Sequence, residues 1–396
     1  MKYIRKFSTP EDREAYMAST PVPDMPYMHL VESTGEVKFS SPEVDYPLYI
    51  KALGNVTVKF GNTYEYSKDN VTWTSATSST SISATKGEMV FFRASGLTAS
   101  SSNGIGSFTI SNGDCNVGGN VMSMVYGADF KGKTEITQTY QFYKLFYSGS
   151  STGGRIVDAS GLALPATTLT DGCYGYVFQD QNKLTYPPAL PAMVLAYECY
   201  RGMFVRCTSL VNAPALPATS LGDGCYRAMF YQCTSLVNPP ELPSTILKER
   251  CYDNMFYGCQ SLVTAPMLPA KTLLPYCYIS LFRECTSLVN PPKIGATVLA
   301  EHCCESMFRG CTSLTKTPDL LATILQAQCY YYMFTGCSNL VYVKAMFLKM
   351  DATEATTSWL RGVRSNGTFV KNSAATWDVS GENGIPSNWT VETADA

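Results

Sequence analysis

Fifteen cysteines and two histidines, His29 and His302, are the side chains from which nucleophilic, redox or metal chemistry would be built. Most of the cysteines obey one spacing. Cys173, Cys199, Cys225, Cys251, Cys277, Cys303 and Cys329 recur every 26 residues, and Cys207, Cys233, Cys259, Cys285, Cys311 and Cys337 form a second frame of the same period. Zinc or redox chemistry wants C-x-x-C pairs or thiolates joined by histidine; no C-x-x-C occurs, and the His302-Cys303-Cys304 cluster belongs to one copy. Disulfides fit poorly too. Cys199 and Cys207 sit eight apart on what reads as one helix, about 12 Å end to end and beyond disulfide reach. The expectation is two ladders of buried free thiols serving as small apolar filler. The carboxylates Glu241, Glu305 and Asp319 occur singly at variable places, and Glu301 beside His302 would not face it on a helix or strand. Nothing assembles a nucleophile, a base and an orienting group, so neither enzyme activity nor any metal or cofactor is expected.

The elements that position these residues follow from the same period. Phe178, Phe204, Phe230, Phe256, Phe282, Phe308 and Phe334 keep it, as do leucines from Leu184 to Leu340 and from Leu169 to Leu325. A period of 20–50 residues means one small unit stacked on copies of itself, because a lone unit cannot bury its apolar side. In the copy beginning at Leu195, Tyr200, Met203, Phe204 and Cys207 follow i, i+3, i+4, i+7, which predicts a short helix with one buried stripe. Leu210-Val-Asn predicts a brief strand, ended by Pro214 and Pro217. The expected fold class is therefore a repeat solenoid of short helix plus short strand. Seven full units follow a degenerate lead-in rung, in which Phe142, Leu145 and Phe146 mimic the helix and Ile156-Val-Asp the strand.

Bulk composition narrows the partners. The chain has 396 residues, a formal charge of −2 and a pI near 5.8, so it carries no basic field for nucleic acid. Charged residues make up 16%, and Tyr, Ser, Thr, Gly and Asn take their place, as on surfaces that meet sugars or proteins. No stretch of 18 apolar residues exists for a spanning helix, and the opening residues lack the apolar run of a secretory signal. No membrane insertion is expected.

The string Cys199-Tyr200-x-x-Met203-Phe204-x-x-Cys207-Thr-Ser-Leu-Val-x-x-Pro214-x-Leu216-Pro217-Ala218 resembles the leucine-rich repeat of BspA-type bacterial surface proteins, over roughly residues 162–343. Departures are local: Gln181 stands for the second cysteine, Cys304 for the tyrosine, and Gly295 and Leu321 for the proline. The opening Met1-Lys-Tyr-Ile-Arg-Lys-Phe and the hairpin expected from Met28-His-Leu-Val-Glu-Ser, Thr34-Gly35 and Glu36-Val-Lys-Phe-Ser are similar to leader segments on structural proteins of Bacteroidales (crAss-like) phages. A helix is expected from Thr9 to Met17.

The predicted organisation is an N-terminal docking segment at 1–45, a small β-sandwich-like domain at 46–125, the repeat block at 126–343 and a C-terminal β cap at 344–396. Strands are expected at Leu48-Tyr-Ile, Val56–Phe60, Tyr64-Glu-Tyr, Val71-Thr-Trp, Ser81-Ile-Ser and Glu88–Arg93. Three of the four tryptophans fall in the cap, where a carbohydrate platform is one alternative.

The resemblances imply a display or adhesion protein. In the first reading it is a phage virion structural protein, a head or tail fibre or decoration, docked on other virion proteins by its N-terminal segment, with a homotrimer as candidate assembly. It would touch a host-surface glycan or protein. In the alternative it is a BspA-like adhesin on a bacterial cell surface, binding host matrix proteins. The candidate contacts are outward positions that vary among copies: Arg201, Arg206, Arg227, Tyr231, Tyr257, Arg283, Arg309, Tyr331 and Tyr332, since Tyr and Arg dominate binding hot spots. Val205, Asp253 and Glu305 are expected on the same face, and Glu241, Met267, Lys293 and Asp319 beside the strand.

Overall fold

Val56-Thr-Val-Lys-Phe alternates apolar and polar side chains, and a strand sends alternate residues to opposite faces. In the computed structural model, which describes residues 4–6, 36–38, 44–149 and 153–395, Val56, Val58 and Phe60 are buried and Lys59 is exposed. Strand β1 (Ile4–Lys6) pairs antiparallel with β2 (Glu36–Lys38). The helix expected at 9–17 and the hairpin arm expected at 28–33 lie outside the described residues.

Next come β3 (Leu48–Ala52), β4 (Val56–Phe60), β5 (Tyr64–Ser67), β6 (Thr74–Ala76), β7 (Ile82–Ala84), β8 (Met89–Arg93), β9 (Phe108–Ser111), β10 (Cys115–Asn120) and β11 (Ile156–Ala163). They form a six-stranded sheet ordered β11-β10-β3-β8-β5-β6 and a three-stranded sheet ordered β7-β4-β9. Aromatic rings fill the space between them: Phe108 lies 4.7 Å from Phe60 and 4.9 Å from Phe92. The strand expected at Val71-Thr-Trp starts only at Thr74. The Asp69 carboxylate accepts the N–H groups of Val71 and Thr72 at 2.8 and 2.7 Å, which makes an Asx turn and leaves Val71 79% exposed. Parallel pairing of β10 with β11 carries the sheet across residue 125, so the apolar core is continuous from Leu48 to Trp389.

The repeat solenoid of helix plus strand is overturned. Among the described residues the one α-helix is α1 (Ser123–Tyr126), which precedes the first unit, and none of the seven units contains a helix. Residues 197–206 are a run of turns. Their backbone explains why: φ is +47° at Glu198, +60° at Gly202 and +56° at Arg206, so every fourth residue is left-handed. An α-helix of L-residues does not contain such angles. Between these points Arg201, Met203 and Val205 donate N–H bonds back to Glu198, Tyr200 and Gly202 at 3.1–3.2 Å. The alternate residues Tyr200, Gly202 and Phe204 donate instead to the carbonyls of Cys225, Arg227 and Met229 in the next unit, at 3.0, 2.8 and 2.9 Å. The strand expected at Leu210-Val-Asn shrinks to single parallel bridges such as Asn212 with Asn238 and Thr264 with Asn290, because the prolines that follow have no N–H to extend the pairing.

The same turns run beyond the expected boundary at 343. Glu354, Ser358 and Gly362 repeat the left-handed positions, and Phe334 donates to Trp359 at 2.9 Å. Strands β12 (Tyr342–Ala345), β13 (Thr368–Asn372) and β14 (Thr390–Ala394) follow as a parallel sheet. Trp359, Trp377 and Trp389 are buried, and their indole N–H groups donate to the carbonyls of Gly384, Phe347 and Arg364. They pack the interior and present no carbohydrate platform.

Ladders of identical rings hold the units together. The phenylalanines from Phe146 to Phe334 stack at 5.4–5.7 Å, and tyrosines from Tyr174 to Tyr278 at 5.8–6.0 Å. Phe256 is fully buried in the middle of its ladder. Phe256→Ala is expected to cost about 3–5 kcal/mol in a denaturant melt. Far-UV circular dichroism should show no helical minimum at 222 nm, and a strong one would contradict the turn assignment.

Candidate functional site

The thiols come first, since they opened the chemical question. All fifteen cysteines are free and buried. Those of the second frame have a defined task. Each Sγ donates to the carbonyl of the phenylalanine 29 residues earlier: Cys207 to Phe178 at 3.2 Å, Cys233 to Phe204 at 3.0 Å, and so on to Cys337 on Phe308 at 3.1 Å. Gln181, the sequence exception, does the same with an amide. Its Nε2 donates to Phe146 O at 2.6 Å, and its Oε1 takes the N–H of Ile156 on β11 at 3.0 Å. Burial pushes the Cys173, Cys251, Cys329 and Cys337 thiols up to about 12, so they stay protonated and poorly nucleophilic. No group of three or more His, Cys, Asp or Glu able to hold a metal exists among the described residues.

The outward positions form columns, because each unit repeats the one before it. Arg201 and Arg227 occupy one column, Tyr231, Tyr257, Arg283 and Arg309 another. Tyr231 stacks on Tyr257 with ring centres 4.6 Å apart, and the Arg283 guanidinium lies over Tyr257 at 5.2 Å. Arg309 lies over Tyr332 at 5.4 Å, and Tyr332 meets Tyr331 edge to face at 4.3 Å. The other three arginines are tied to carboxylates. Arg201 meets Glu198 at 2.7 Å, Arg206 meets Asp180 at 2.9 Å, and Arg227 bridges Asp253 at 3.1 Å and Glu198 at 3.6 Å. Eight of the nine predicted contacts are half-buried and Arg206 is exposed.

Two residues expected to be exposed on this face are covered. Val205 is buried, and Asp253 is 2% exposed between Arg227 and Arg250. Burial raises the Asp253 carboxyl against the pull of those guanidinia. The sequence reading also missed a third column, in which Arg250 lies 4.0 Å over Tyr276 and Tyr276 stacks on His302 at 4.8 Å. His302 Nδ1 is 2.6 Å from Glu305 Oε2. The signal was the strict four-residue recurrence Cys-Tyr, Met-Phe, Cys, which points the residue before each first-frame cysteine outward. Glu241, Met267, Lys293 and Asp319 are exposed, and Asp319 pairs with Lys344 at 3.1 Å.

A cleft of about 440 Å³ also opens on the surface at Ile246, Leu247, Pro269, Lys271, Thr272 and Leu274. Its lining is mainly apolar, with Lys271 its one charged group.

No family model matches this chain, and no curated protein or solved structure does either.

The thiols supply a test. Native protein should leave all fifteen unmodified by an alkylating reagent at pH 8, and denatured, unreduced protein should expose fifteen. Raised thiols favour the folded state below the unfolded value, near 8.5, and lose that contribution as pH climbs toward about 12. The melting temperature should therefore fall from pH 9 upward. A flat profile to pH 11 would contradict the buried-thiol assignment.

Proposed function

We propose that this chain is an attachment protein whose columned outward face binds a host-surface glycan or protein, and that it is carried on a phage virion. One observation carries the attachment reading: the interior ladders repeat almost unchanged while the outward columns change from unit to unit. Tyrosine and arginine collect there, held by stacking in fixed orientations. Side chains already fixed lose little rotamer freedom when a partner binds, which is how rigid aromatic contacts gain affinity. The virion reading rests on the likeness of the first forty or so residues to leader segments of Bacteroidales phage structural proteins. The BspA-like repeat string favours the second reading, a bacterial surface adhesin.

Two measurements separate these. Mass spectrometry of purified virions should detect the chain, and purified protein should bind some members of a panel of Bacteroidales strains and compete with virion adsorption to them. Replacing Tyr231, Tyr257 and Arg283 together by alanine should weaken that binding at least tenfold. Detection in a bacterial envelope, with none in virions, would support the adhesin. Failure to bind any cell or matrix protein would defeat attachment itself.

A further inference from the structure

Arg283 and Arg309 differ from the other arginines of the columned face. Arg201, Arg206, Arg227 and Arg250 each have a carboxylate within 4 Å, whereas Arg283 and Arg309 have none among the described residues. The nearby acids are directed elsewhere. Glu305 is taken by His302 at 2.6 Å, and the Glu284 carboxyl lies over the glycine of the next unit, where a Cβ on Gly310 would meet it at 2.7 Å. The two arginines hold the same position in consecutive units, the residues before them, Phe282 and Phe308, stack 5.6 Å apart, and their guanidinia lie over Tyr257 and Tyr332 respectively. The Arg283 Nε is buried without a hydrogen-bond partner. Next in the same column stand the stacked rings of Tyr257 and Tyr231.

We infer that Tyr231, Tyr257, Arg283 and Arg309 form a subsite for a linear acidic polysaccharide. Carboxylates or sulfates of the chain pair with Arg283 and Arg309, and the neighbouring sugars run along the tyrosine edges, where phenol hydroxyls meet sugar hydroxyls. Guanidinium forks suit such anions, because two parallel N–H groups match two oxygens. The periodicity selects a polymer: a pyranose ring is about as wide as the spacing between units, so successive sugars meet successive units. This inference rests on the attachment reading and narrows it to one ligand class.

The test uses the full chain and four immobilised probes: polygalacturonate, a sulfated glycan, neutral dextran and poly-glutamate. Retention on polygalacturonate or on the sulfated glycan is expected, with none on dextran and little on poly-glutamate. Those two arms identify which anion is preferred. Raising salt from 0.1 to 0.5 M should weaken retention, since the ion pairs formed are partly screened. The variant Arg283→Gln/Arg309→Gln should lose at least tenfold in affinity at an unchanged melting temperature, and Arg283→Lys should keep part of it. Equal retention on dextran, equal or stronger retention on poly-glutamate, or a double variant that binds like the parent would overturn the proposal. If the parent and the double variant bind whole cells equally well, attachment stands and the acidic subsite falls. If neither binds any cell, the attachment reading is what fails.

Discussion

One backbone constraint organises this protein: a left-handed residue at every fourth position through the turn run of each unit. It splits the N–H groups into two sets, one closing a turn within the unit and the other reaching the next unit. Side-chain ladders then need no separate device for register, since the hydrogen bonds that join neighbours also align equivalent residues. Left-handed conformations cost roughly 1–2 kcal/mol for residues other than glycine. Tyr276, His302 and Gln328 accept them, while Gly172, Gly202, Gly258 and Gly336 sit at equivalent points without strain. The bonds and ring stacks between units offset what remains.

The ends of the array carry the complementary burden. The inter-unit donors of the turn runs all face one way along it, so the first of these rows would leave carbonyls open and the last N–H groups. The first are met by the N–H groups of Ile105 and Phe108, which reach Gln141 and Leu145 at 3.0 and 2.8 Å. The last are met by Asn383 Oδ1 on Ser358 at 2.7 Å and by Glu382 O on Leu360 at 3.3 Å. The flanking segments thus satisfy polar groups that burial would otherwise make expensive.

Much of this was legible in the residues, and the part that was not has a clear origin. Strict alternation at Val56–Phe60 fixed which face turns inward. The 26-residue frames named the buried ladder residues and the half-buried Tyr and Arg positions. The helix inference failed because the spacings i+3, i+4 and i+7 are shared by a 3.6-residue helix and by turns that repeat every four. Only the exact recurrence of Cys199-Tyr200, Met203-Phe204 and Cys207 separates them; it places Val205 and Asp253 in the outward columns, and the burial of Asp253 comes from Arg227 and Arg250 beside it. The turn at Asp69 was missed for another reason: its carboxylate competes with the strand for the backbone donors of Val71 and Thr72. No pattern in the residues announced the pairing of β10 with β11, which depends on segments some forty positions apart.

Because the turn runs of neighbouring units join through equivalent bonds and one shared phenylalanine stack, nothing in that part of the interior fixes how many units there must be. A gain or loss of one whole 26-residue block would rejoin like to like, keep the flanking β structure seated and change only the length of the outward face. Copy number is then open to change by simple genetic recombination, and the reach of the surface can drift between lineages without any redesign of the core.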